Sequence, residues 1–595
     1  MLERAQFQLL RAVQELPQLS QRDLAARLGW SLGKVNRVLK GCTAAGWVAE
    51  GVLQPAGLAA LTPYRVDNAI IMAAGMSTRF APLSYEKPKA LLRVKGEVLI
   101  EREIRQLQAA GITDITVVVG YKREQLFYLA DKFGVQIVVN EDYYRYNNTS
   151  TLMCVRERLG NTYICSSDNY FTQNVFAPYV YRGYYAAVYT DQPTEEYLLS
   201  TNRQGRITRV TVGGPGGWYM LGHVYFDRTF SERFRMLLEQ EYPLQVTREQ
   251  LWENLYMRHL DELALYIERY PDGVIYEFDS LDELRAFDTD YVRNAGSAIF
   301  QHIEQILHCS DADIQQIQPI KAGLTNVSFR FACRGSLYVY RHPGPGTHAI
   351  ISRQSEAASM AIAHKLGIDK TFIYMDAEAG WKLSHFIVDA RPLDHHDRAQ
   401  AERALALVRK LHRSGERTPY AFDMWAGTQQ LEQEMQALGR MEFAGAAALQ
   451  AAMAQLHAYA SQDGEARECL CHNDCYGPNF LFAPDGTLNL IDWEYSGMGD
   501  PAGDIGTFIC CSQYDVAQTE AALHYYLADE DTPARFRHFY AYTALAGYYW
   551  FVWALHQESQ GKPVGDWQYI WYRVAQDNGR RALAGYQTTE GGNDK

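Results

Sequence analysis

A short apolar strand that breaks into a glycine-containing, basic loop constrains the fold of this chain most. Residues 69–72 are uninterruptedly apolar, and the segment after them contains Gly75, Arg79 and Lys89. Glycine has no Cβ, so the backbone at Gly75 can approach an anion closely and direct an amide towards it. Arg79 offers a planar guanidinium fork and Lys89 a compact ammonium, and both suit phosphate oxygens. The stretch therefore predicts a buried strand that ends in a phosphate-binding loop.

Short apolar strands alternate with helical segments after this loop. The pattern predicts strands at residues 115–119, 136–139 and 163–165 and helices at residues 98–110 and 123–132. Such alternation is typical of a parallel sheet with helices on both faces, and ligands bind at the carboxyl ends of its strands. Asp168 follows one of these strands closely, so we expect its carboxylate at that edge of the sheet.

A longer pattern surrounds the basic loop and continues along the chain. Residues 73–92, AAGMSTRFAPLSYEKPKALL, resemble the signature of nucleotidyltransferases, which join a nucleoside triphosphate to a phosphorylated alcohol or sugar and release pyrophosphate. Further matches follow in order at GYKREQLFYL (120–129), NEDYYRYNN (140–148), SSDNYF (166–171) and YEFDS (276–280). Over residues 68–287 the chain most resembles the bacterial CTP:phosphocholine cytidylyltransferases.

This resemblance implies how a nucleotide and a metal would be held. The backbone of Ala73, Ala74 and Gly75 would bind CTP, with Arg79 as a fork for its phosphate oxygens. Lys89 and the metal would offset the charge as pyrophosphate leaves. The resemblance also implies two aspartates as ligands of Mg²⁺, which prefers carboxylate, phosphate and water oxygens; these are Asp168 and Asp279. A loop aspartate can instead cap a turn, and that alternative stays open for both.

The alcohol end of phosphocholine needs a different kind of pocket. A trimethylammonium group donates no ordinary hydrogen bond, so it is bound by aromatic faces and by carboxylates. The stretch in which the cytidylyltransferase family has its alcohol pocket contains four candidates: Glu196, Tyr197, Trp218 and Trp252. The competing interpretation is that these tryptophans are ordinary core residues.

A second set of motifs lies in the last third of the chain. Within residues 470–506, Asp474 follows His472 and Asn473, Asn479 comes five residues later, and Asp492 follows an apolar run. This is the arrangement of a kinase catalytic loop followed by a metal-binding aspartate. Over residues 313–584 the chain resembles the choline/ethanolamine kinases and the aminoglycoside phosphotransferases. The resemblance implies that Asp474 accepts the substrate's hydroxyl proton, whereas Asn479 and Asp492 hold Mg²⁺.

The segment before this loop predicts the binding of ATP phosphates. Residues 321–347 read as a strand, a glycine-containing turn and a second strand, with Thr325 and Asn326 in the turn. Arg341 ends the second strand and Glu356 lies in the helix that follows. In the kinase interpretation Arg341 takes the place of the usual phosphate-binding lysine, and Glu356 anchors it.

Aromatic residues near the C-terminus predict a site for choline. Trp550 and Trp553 are three residues apart and so share one face of a helix. Such a stripe is more often core, but the kinase resemblance places the choline pocket here, together with Glu494 of the IDWEY motif. The IDWEY and GLTN motifs and the arginine at 341 favour a choline kinase within that resemblance.

The N-terminal segment has a character of its own. Residues 1–60 carry seven basic and four acidic side chains, whereas the whole chain has a net charge of −13. Residues 20–53 read as two helices around Gly29 and a short hairpin. Ser20 and Ser31 are placed to cap the two helices, and a shared core is expected to form from Leu24, Leu28, Val35, Val38 and Leu39. The arrangement resembles the winged helix-turn-helix of bacterial regulators. The second helix would expose Lys34, Asn36, Arg37 and Lys40 to DNA. A dimerisation or regulatory module is the alternative.

Composition narrows the remaining possibilities. The negative charge argues against a protein that mainly coats nucleic acid. No apolar run is long enough for a comfortable membrane span, and neither a secretion signal nor regular cysteine spacing is present, so we expect a cytoplasmic protein. One cluster could be taken for a set of zinc ligands: Cys469, Cys471, His472 and Cys475. These residues lack the two separated pairs of structural zinc sites, so we expect no zinc there.

The sequence predicts a multidomain protein. It comprises an α winged helix-turn-helix (1–64), an α/β Rossmann-like nucleotidyltransferase (65–290), a linker helix (291–312), an α+β protein-kinase-like domain (313–587) and a disordered tail (588–595). The expected activity is phosphorylation of choline by ATP, followed by conversion of phosphocholine and CTP to CDP-choline for surface glycans or phospholipids. The alternatives are the same reactions on ethanolamine or another amino alcohol, and a choline-responsive DNA-binding regulator.

Overall fold

Two compact units make up the chain, and each is described by itself. The computed structural model describes residues 2–77, 80–278, 280–288, 297–320, 327–343 and 352–590. Its units are Met1–Gln301 and His302–Lys595. The first spans the residues predicted to form the winged helix and the nucleotidyltransferase, and the second spans those of the kinase-like domain.

The elements of the first unit follow the predicted alternation from Asn68 onwards. Its helices are α1 (Arg4–Glu15), α2 (Gln21–Leu28), α3 (Leu32–Ala44), α4 (Pro55–Leu61), α5 (Leu83–Glu86), α6 (Leu99–Ala109), α7 (Tyr128–Phe133), α8 (Asn148–Cys154), α9 (Arg228–Glu241), α10 (Gln245–Glu249), α11 (Trp252–Arg258) and α12 (Leu281–Phe287). Its strands are β1 (Val48–Ala49), β2 (Val52–Leu53), β3 (Asn68–Ala73), β4 (Arg93–Val94), β5 (Glu97–Val98), β6 (Ile115–Val119), β7 (Gln136–Val139), β8 (Thr162–Ser166), β9 (Asn169–Phe171), β10 (Tyr184–Thr190), β11 (Thr194–Thr201), β12 (Ile207–Gly214), β13 (Gly217–Phe226), β14 (Tyr266–Arg269) and β15 (Ile275–Glu277).

The first three helices and the β1–β2 hairpin form a winged helix. Ser20 caps α2 by accepting a hydrogen bond from the amide of Asp23, and Ser31 caps α3 in the same way. Gly29 ends α2 in the left-handed conformation, with φ of 63°. Leu24 and Val35 are buried in the small core between the helices. The predicted caps, turn and core contacts of this module are therefore confirmed.

The central sheet is mixed, whereas the sequence pattern predicted a parallel one. Its strand order is β12-β11-β13-β8-β3-β6-β7, and β10 joins β13 to β14. Strands β3, β6, β7 and β8 are parallel, but β13 pairs with β8 antiparallel. Strands β10 to β13 follow one another through connections too short for a crossover helix, so they pair as antiparallel neighbours. The parallel part still brings the carboxyl ends of β3 and β8 to one edge.

The second unit has the two-part architecture of a protein kinase. Helix α13 (Ala298–Leu307), the predicted linker helix, contains the boundary between the units. The strands are β16 (Ile314–Ile320), β17 (Val327–Cys333), β18 (Ser336–His342), β19 (Phe372–Met375), β20 (Lys382–His385), β21 (Arg391–Pro392), β22 (Cys469–Cys471), β23 (Phe480–Phe482), β24 (Leu488–Leu490) and β25 (Gly497–Gly499). The helices are α14 (Arg353–Lys365), α15 (Arg398–His412), α16 (Met424–Ala437), α17 (Ala446–Gln462), α18 (Pro501–Ser512), α19 (Val516–Leu527), α20 (Pro533–Ser559) and α21 (Trp567–Glu590).

These elements place a strand-rich part before a helical part. Strands β16, β17, β18, β20 and β19 form an antiparallel sheet in that order, and α14 packs beside it. The helical part has a continuous apolar core to which α18 and α20 contribute many side chains. Helix α21 continues to Glu590, so residues 588–590 of the predicted disordered tail are helical, and residues 591–595 lie outside the described residues. Across the described residues, no helix combines the length and apolarity needed to cross a bilayer.

A buried histidine joins three helices of this part and makes its stability depend on pH. His538 of α20 contacts Asp463 at 3.1 Å and Asp500 at 2.9 Å, and it is fully buried. Burial alone would lower the pKa of His538, but the two carboxylates raise it to about 9. The folded state holds this proton more tightly than the unfolded state does. The contribution of His538 and its two carboxylates to the free energy of unfolding is therefore complete below pH 6.5 and is lost as the pH rises through 9.

We expect His538→Gln to destabilise the kinase-like unit by about 3 kcal/mol at pH 6 and by much less at pH 9.5. The value follows from the pKa shift of His538, and urea unfolding at the two pH values measures it. His524→Gln is the matched control, because His524 forms an exposed pair with Asp531. Equal destabilisation by His538→Gln at both pH values would contradict this account.

Candidate active sites

A cavity of about 530 Å³ lies at the carboxyl ends of β3 and β8 in the first unit. Ala73, Ala74 and Gly75 line it, as predicted from the strand–loop motif, and so do Lys89 and Asp168. The parallel pairing of β3 with β8 explains why residues almost a hundred positions apart meet here. The cavity therefore joins a glycine-containing loop, an ammonium group and a carboxylate at the edge where α/β sheets bind ligands.

Lys89 and Asp168 form a half-buried ion pair in this cavity. The Nζ atom of Lys89 is 2.9 Å from Oδ2 of Asp168. The other oxygen, Oδ1, is buried and has no hydrogen-bond partner among the described residues. Burial and the charge of Asp168 raise the pKa of Glu103 well above its usual value. A carboxylate oxygen without a protein partner, on a residue that lines the cavity, fits a divalent cation.

A loop within the cytidylyltransferase-like segment at residues 140–148 also lines this cavity, although no role was predicted for its residues. Residues 143–148 line the cavity together with Asn140 and Thr151. Asn140 donates to the hydroxyl groups of Ser150 and Thr151 at 2.9 and 3.2 Å, which ties the loop to α8. The cluster of asparagines and tyrosines after the predicted strand at 136–139 was the available signal. Arg79 and Asp279, two other predicted site residues, lie outside the described residues.

The four candidates for the alcohol pocket lie apart from this cavity. Trp252 is buried in the core, where its ring stacks on Tyr185 at 5.9 Å. Trp218 packs against Tyr189 and under the guanidinium of Arg269. None of the four, Glu196, Tyr197, Trp218 and Trp252, is among the residues that line the cavity. The positions of these tryptophans in the sequence could not show which are core residues and which bind a ligand, because both kinds occur in apolar segments.

A buried carboxyl next to Trp252 was missed by the sequence analysis. Glu253 accepts a hydrogen bond from the hydroxyl of Tyr185 at 3.1 Å. Burial raises the pKa of Glu253 to about 7. Tyr197 is close enough for the charge of Glu253 to raise the pKa of its hydroxyl, after the larger effect of burial. Together with Tyr197, Glu253 and Tyr185 form an aromatic and acidic cluster beside α8.

A larger cavity of about 910 Å³ lies in the second unit. Arg341 at the end of β18 lines it and forms an ion pair with the fully buried Glu356 of α14. Lys382, which the sequence analysis missed, adds a second cation 3.2 Å from Glu356. Burial alone would raise the pKa of Glu356, but Arg341 and Lys382 lower it to about 2. The carboxylate therefore holds two cations at the cavity wall.

The predicted catalytic loop faces these cations. Asn479 donates to the Oδ2 atom of Asp474 at 2.8 Å, and Arg341 lies 3.2 Å from Asp492. Burial and the charges of Asp492 and Glu494 raise the pKa of Asp474 to about 8. A cation at Asp492 would relieve this repulsion and favour the ionised form of Asp474, so the oxygen donors present fit a divalent metal. Thr325 and Asn326, predicted to contact ATP, lie outside the described residues.

A buried aspartate positions the catalytic loop, and it too was missed. Asp504 of α18 accepts hydrogen bonds from the backbone amides of His472 and Asn473. His412 contacts the same carboxylate at 2.8 Å. His472 in turn donates to the carbonyl of Ile491 at 2.9 Å, which ties the loop to the segment that carries Asp492. The DIG sequence at 504–506 was the available signal, but nothing local revealed its partners.

Four tryptophans surround one end of this cavity. Trp550 and Trp553 of α20 are 5.4 Å apart in an edge-to-face arrangement, as their spacing predicted. Trp567 and Trp571 of α21 complete the group, and all four line the cavity together with Glu494. Burial and the charge of Asp492 raise the pKa of Glu494 to about 7. This end of the cavity is thus an aromatic cage, and the carboxyl group of Glu494 lies 3.9 Å from Arg341 in the same cavity.

The cysteine cluster near the catalytic loop differs from the set considered for zinc. Cys469 and Cys471 lie 3.7 Å apart and close to His412, whereas His472 is engaged with the carbonyl of Ile491. Both ring nitrogens of His412 already contact other side chains, Asp504 and Tyr526. The thiols therefore lie beside an existing hydrogen-bond network.

Three family profiles match the chain in the order of its structural modules. The MarR family matches residues 2–54, the MobA-like NTP transferase domain matches residues 69–212, and the phosphotransferase enzyme family matches residues 316–539. The predicted fold class is thereby confirmed: a winged helix, a Rossmann-like nucleotidyltransferase and a kinase-like domain follow one another. Members of the last two families act on nucleoside triphosphates.

Relatives with assigned names cover the central and the C-terminal parts. The choline-phosphate cytidylyltransferase of Streptococcus pneumoniae is 34% identical over 221 residues, 37% of this chain and 96% of the relative. The 2-aminoethylphosphonate cytidylyltransferase of Lancefieldella rimae is 35% identical over 38% of this chain and 93% of its own length. Protein LicA of Haemophilus influenzae is 25% identical over 41% of this chain and 94% of its own length. Through its central domain, the chain belongs to the family of choline-phosphate and 2-aminoethylphosphonate cytidylyltransferases.

Proposed function

We propose that the chain makes CDP-choline in two steps, with choline kinase activity in the second unit and CTP:phosphocholine cytidylyltransferase activity in the first. The observation that carries the proposal is the tryptophan cage that shares a cavity with Asp474, Asn479 and Asp492. An onium alcohol in the cage would present its hydroxyl to the catalytic loop. The product of that step is the substrate expected for the central domain.

The kinase step follows from the positions of five charged groups. Asp474 accepts the hydroxyl proton of choline, the oxygen attacks the terminal phosphorus of ATP, and ADP leaves. Arg341 and Lys382 bind the phosphates, and Glu356 keeps both cations in place. Asn479 and Asp492 would hold Mg²⁺, which would supply charge neutralisation at the phosphates. Thr325 and Asn326 are proposed to close over the ATP phosphates.

The cytidylyl transfer needs little covalent chemistry from the protein. A phosphate oxygen of phosphocholine attacks the α-phosphorus of CTP, and pyrophosphate leaves. The amides at Ala73, Ala74 and Gly75 bind the triphosphate, and Lys89 offsets its charge. Asp168 would hold Mg²⁺, with Asp279 proposed as its second carboxylate and Arg79 as a further phosphate ligand. Bound there, the metal would supply charge stabilisation for the leaving pyrophosphate.

The choline end of phosphocholine would bind near β11 and α11. Tyr185 and Glu253 offer a phenol and a buried carboxyl there, and Tyr197 lies next to them. Glu196 and Trp218, on the same part of the sheet, remain proposed contacts. Trp252 supports this site from the core, because its ring stacks on Tyr185. The carboxyl group and the rings match an onium group that donates no hydrogen bond.

Choline is favoured over ethanolamine because the cage is made of ring faces. We expect Trp553→Leu to raise the KM for choline at least tenfold with a smaller change in kcat, since a desolvated cation–π contact contributes about 2 kcal/mol. Trp425→Leu is the matched control, because Trp425 stacks on His457 away from the cavity. An unchanged KM would argue against the cage. Initial rates over a range of choline concentrations measure the effect.

The decisive experiment identifies the products by mass spectrometry. Purified protein is mixed with Mg²⁺, ATP, CTP and one acceptor: choline, ethanolamine or 2-aminoethylphosphonate. CDP-choline formed from choline, with phosphocholine as the only product when CTP is omitted, supports both activities. A preference for ethanolamine would favour the alternative substrate class. Absence of any nucleotide turnover would favour the ligand-sensing regulator.

The winged helix is proposed to contact DNA through α3. Arg37 and Lys40 are exposed and have no ion-pair partner among the described residues, so the helix presents uncompensated positive charge. The Nζ atom of Lys34, in the first turn of α3, lies 3.9 Å from the centre of the Trp30 ring. Fluorescence anisotropy with a DNA duplex at low salt tests this. Arg37→Glu should weaken binding and reduce its salt dependence, and no binding by the wild type would oppose the proposal.

A further inference from the structure

A second cavity of the first unit lies between the winged helix and the nucleotidyltransferase domain. Its volume is about 260 Å³, enough for a molecule of the size of phosphocholine. Arg4 and Phe7 of α1 form one side, and β14 with the segment at residues 177–184 forms the other. None of its lining residues belongs to the cavity that contains Lys89 and Asp168. The proposed reactions give it no role.

The walls of this cavity also hold the winged helix in place. The amide of Val180 donates to the carbonyl of Tyr64 at 2.8 Å, and the amide of Val66 donates to the carbonyl of Pro178 at 3.0 Å. The hydroxyl of Tyr181 donates to the carbonyl of Leu2 at 3.2 Å. The segment that lines the cavity is thus the segment to which the N-terminal module is attached. A molecule bound in the cavity would contact both modules.

Charged groups of both signs face the cavity. Arg4 and Glu268 have no ion pair within the described residues, and Arg182 donates to the carbonyl of Gln204 at 3.0 Å. Arg4 and Arg182 line the same cavity, and burial and the charge of Arg4 lower the pKa of Arg182. Burial raises the pKa of Glu268. The two cations offer a place for an anion, and the carboxylate offers a place for a cation.

The rest of the lining is aromatic and bears hydroxyl groups. Tyr163, Tyr184 and Tyr270 lie on neighbouring elements, and the charge of Glu268 acts on all three hydroxyls. The ring of Tyr266 is also part of the wall, with the guanidinium of Arg182 at 3.4 Å from its centre. Phenol rings beside a carboxylate form a surface that binds onium groups. The guanidinium groups of Arg4 and Arg182, which line the same cavity, complement a phosphate.

We propose that this cavity is a regulatory site for a small zwitterion with a phosphate at one end and an ammonium or quaternary ammonium group at the other. The phosphate would lie between Arg4 and Arg182, and the onium group would lie among the tyrosines near Glu268. Only the choice of phosphocholine as the probe rests on the proposed function. Through this site the concentration of such a zwitterion would be sensed where the winged helix joins the catalytic domain.

The cavity is connected to the catalytic edge by packed rings. Tyr184 contacts the buried His223 at 2.9 Å, and the ring of His223 packs against Phe171 at 5.6 Å. Phe171 ends β9, the strand that begins directly after Asp168. Tyr163 belongs to β8, which leads into the same loop. Occupancy of the cavity can therefore bias both the docking of α1 and the position of Asp168.

Hydrogen–deuterium exchange with peptide resolution tests the site in the full chain. With saturating phosphocholine and no CTP, we expect amide exchange to slow at least twofold in peptides that cover residues 2–15 and 176–184. The same peptides should be unaffected in a double variant, Arg182→Gln with Glu268→Gln. Peptides around residues 140–148 report the catalytic cavity and should respond equally in both proteins. Arg4→Gln, a change at an exposed residue, gives a second test if the double variant does not fold.

Two further ligands define the chemistry of the site. Choline lacks the phosphate and propyl phosphate lacks the onium group, so neither should protect residues 2–15 at the concentration at which phosphocholine does. Protection confined to residues 140–148 in the wild type, or protection of residues 2–15 that persists in the variants, would overturn the proposal. Protection of residues 2–15 by propyl phosphate, which lacks the onium group, would also overturn the proposal. The product assay tests the two activities independently of this site. If CDP-choline is formed but phosphocholine does not protect α1, the second site is refuted and the two activities are unaffected.

Discussion

Replacing Asp474 by asparagine will slow phosphorylation of choline by about 10²- to 10⁴-fold and leave the conversion of phosphocholine to CDP-choline at its wild-type rate. Asp474 is the only carboxylate of the motif at 472–474, and Asn479 donates to it at 2.8 Å. Asparagine has the same shape but cannot accept the proton of the attacking hydroxyl. General-base catalysis contributes about 10²- to 10⁴-fold to a rate, so kcat should fall by that factor. Phosphocholine formation measured by mass spectrometry provides the value.

The matched control is Asp485→Asn. Asp485 lies in an exposed turn of the same domain, where it accepts a hydrogen bond from the amide of Thr487 at 2.8 Å. This change removes a carboxylate from the domain without touching the cavity, so the kinase rate should stay within about twofold of the wild type. A kinase rate that survives Asp474→Asn would show that another group takes the proton.

Replacing Lys89 by methionine should have the reciprocal effect. Lys89 provides a positive charge inside the cavity of the first unit, and its partner Asp168 is 2.9 Å away. Methionine keeps most of the apolar stem but offers no charge to the leaving pyrophosphate. Loss of one preorganised donor to a developing anion costs about 10²- to 10³-fold in kcat. Pyrophosphate release from CTP and phosphocholine measures the loss, and choline phosphorylation should be unchanged.

Two controls make this result interpretable. Lys40→Met removes an exposed lysine from the winged helix and should leave both reactions unaffected. A mixture of the Asp474→Asn and Lys89→Met proteins should restore CDP-choline formation from choline, because phosphocholine released by one protein can diffuse to the other. Loss of both reactions in either single variant would contradict two separate active sites.

The prediction of the fold from sequence succeeded where the determining interactions are local. The apolar run before Gly75 is strand β3, and Ser20 and Ser31 cap the helices that they were expected to cap. It failed for the pairing of β10 to β13, because strand direction depends on the lengths of connections and not on the composition of a strand. The apolar pattern of these strands carries no information about their neighbours.

The same distinction applies to the candidate sites. The spacing of Asp474, Asn479 and Asp492 could be read along the chain, since kinase catalytic loops are short segments. Lys382 and Asp504 could not be found in this way. Lys382 reaches Glu356 from another strand, and Asp504 reaches the amides of His472 and Asn473 from a helix. Their roles arise from contacts between segments that are distant in sequence.

The order of residues was sufficient to identify the chemistry of the two motifs, because a phosphate loop and a catalytic loop depend on side chains within a few positions of each other. Only the folded chain decided which aromatic residues face a ligand and which are core. Trp550 and Trp553 line a cavity because α21 brings Trp567 and Trp571 opposite them, whereas Trp252 is enclosed by Phe226 and Phe234. Burial of an aromatic side chain stabilises the fold in either setting, so whether the ring faces a ligand or lies in the core depends on what packs against it.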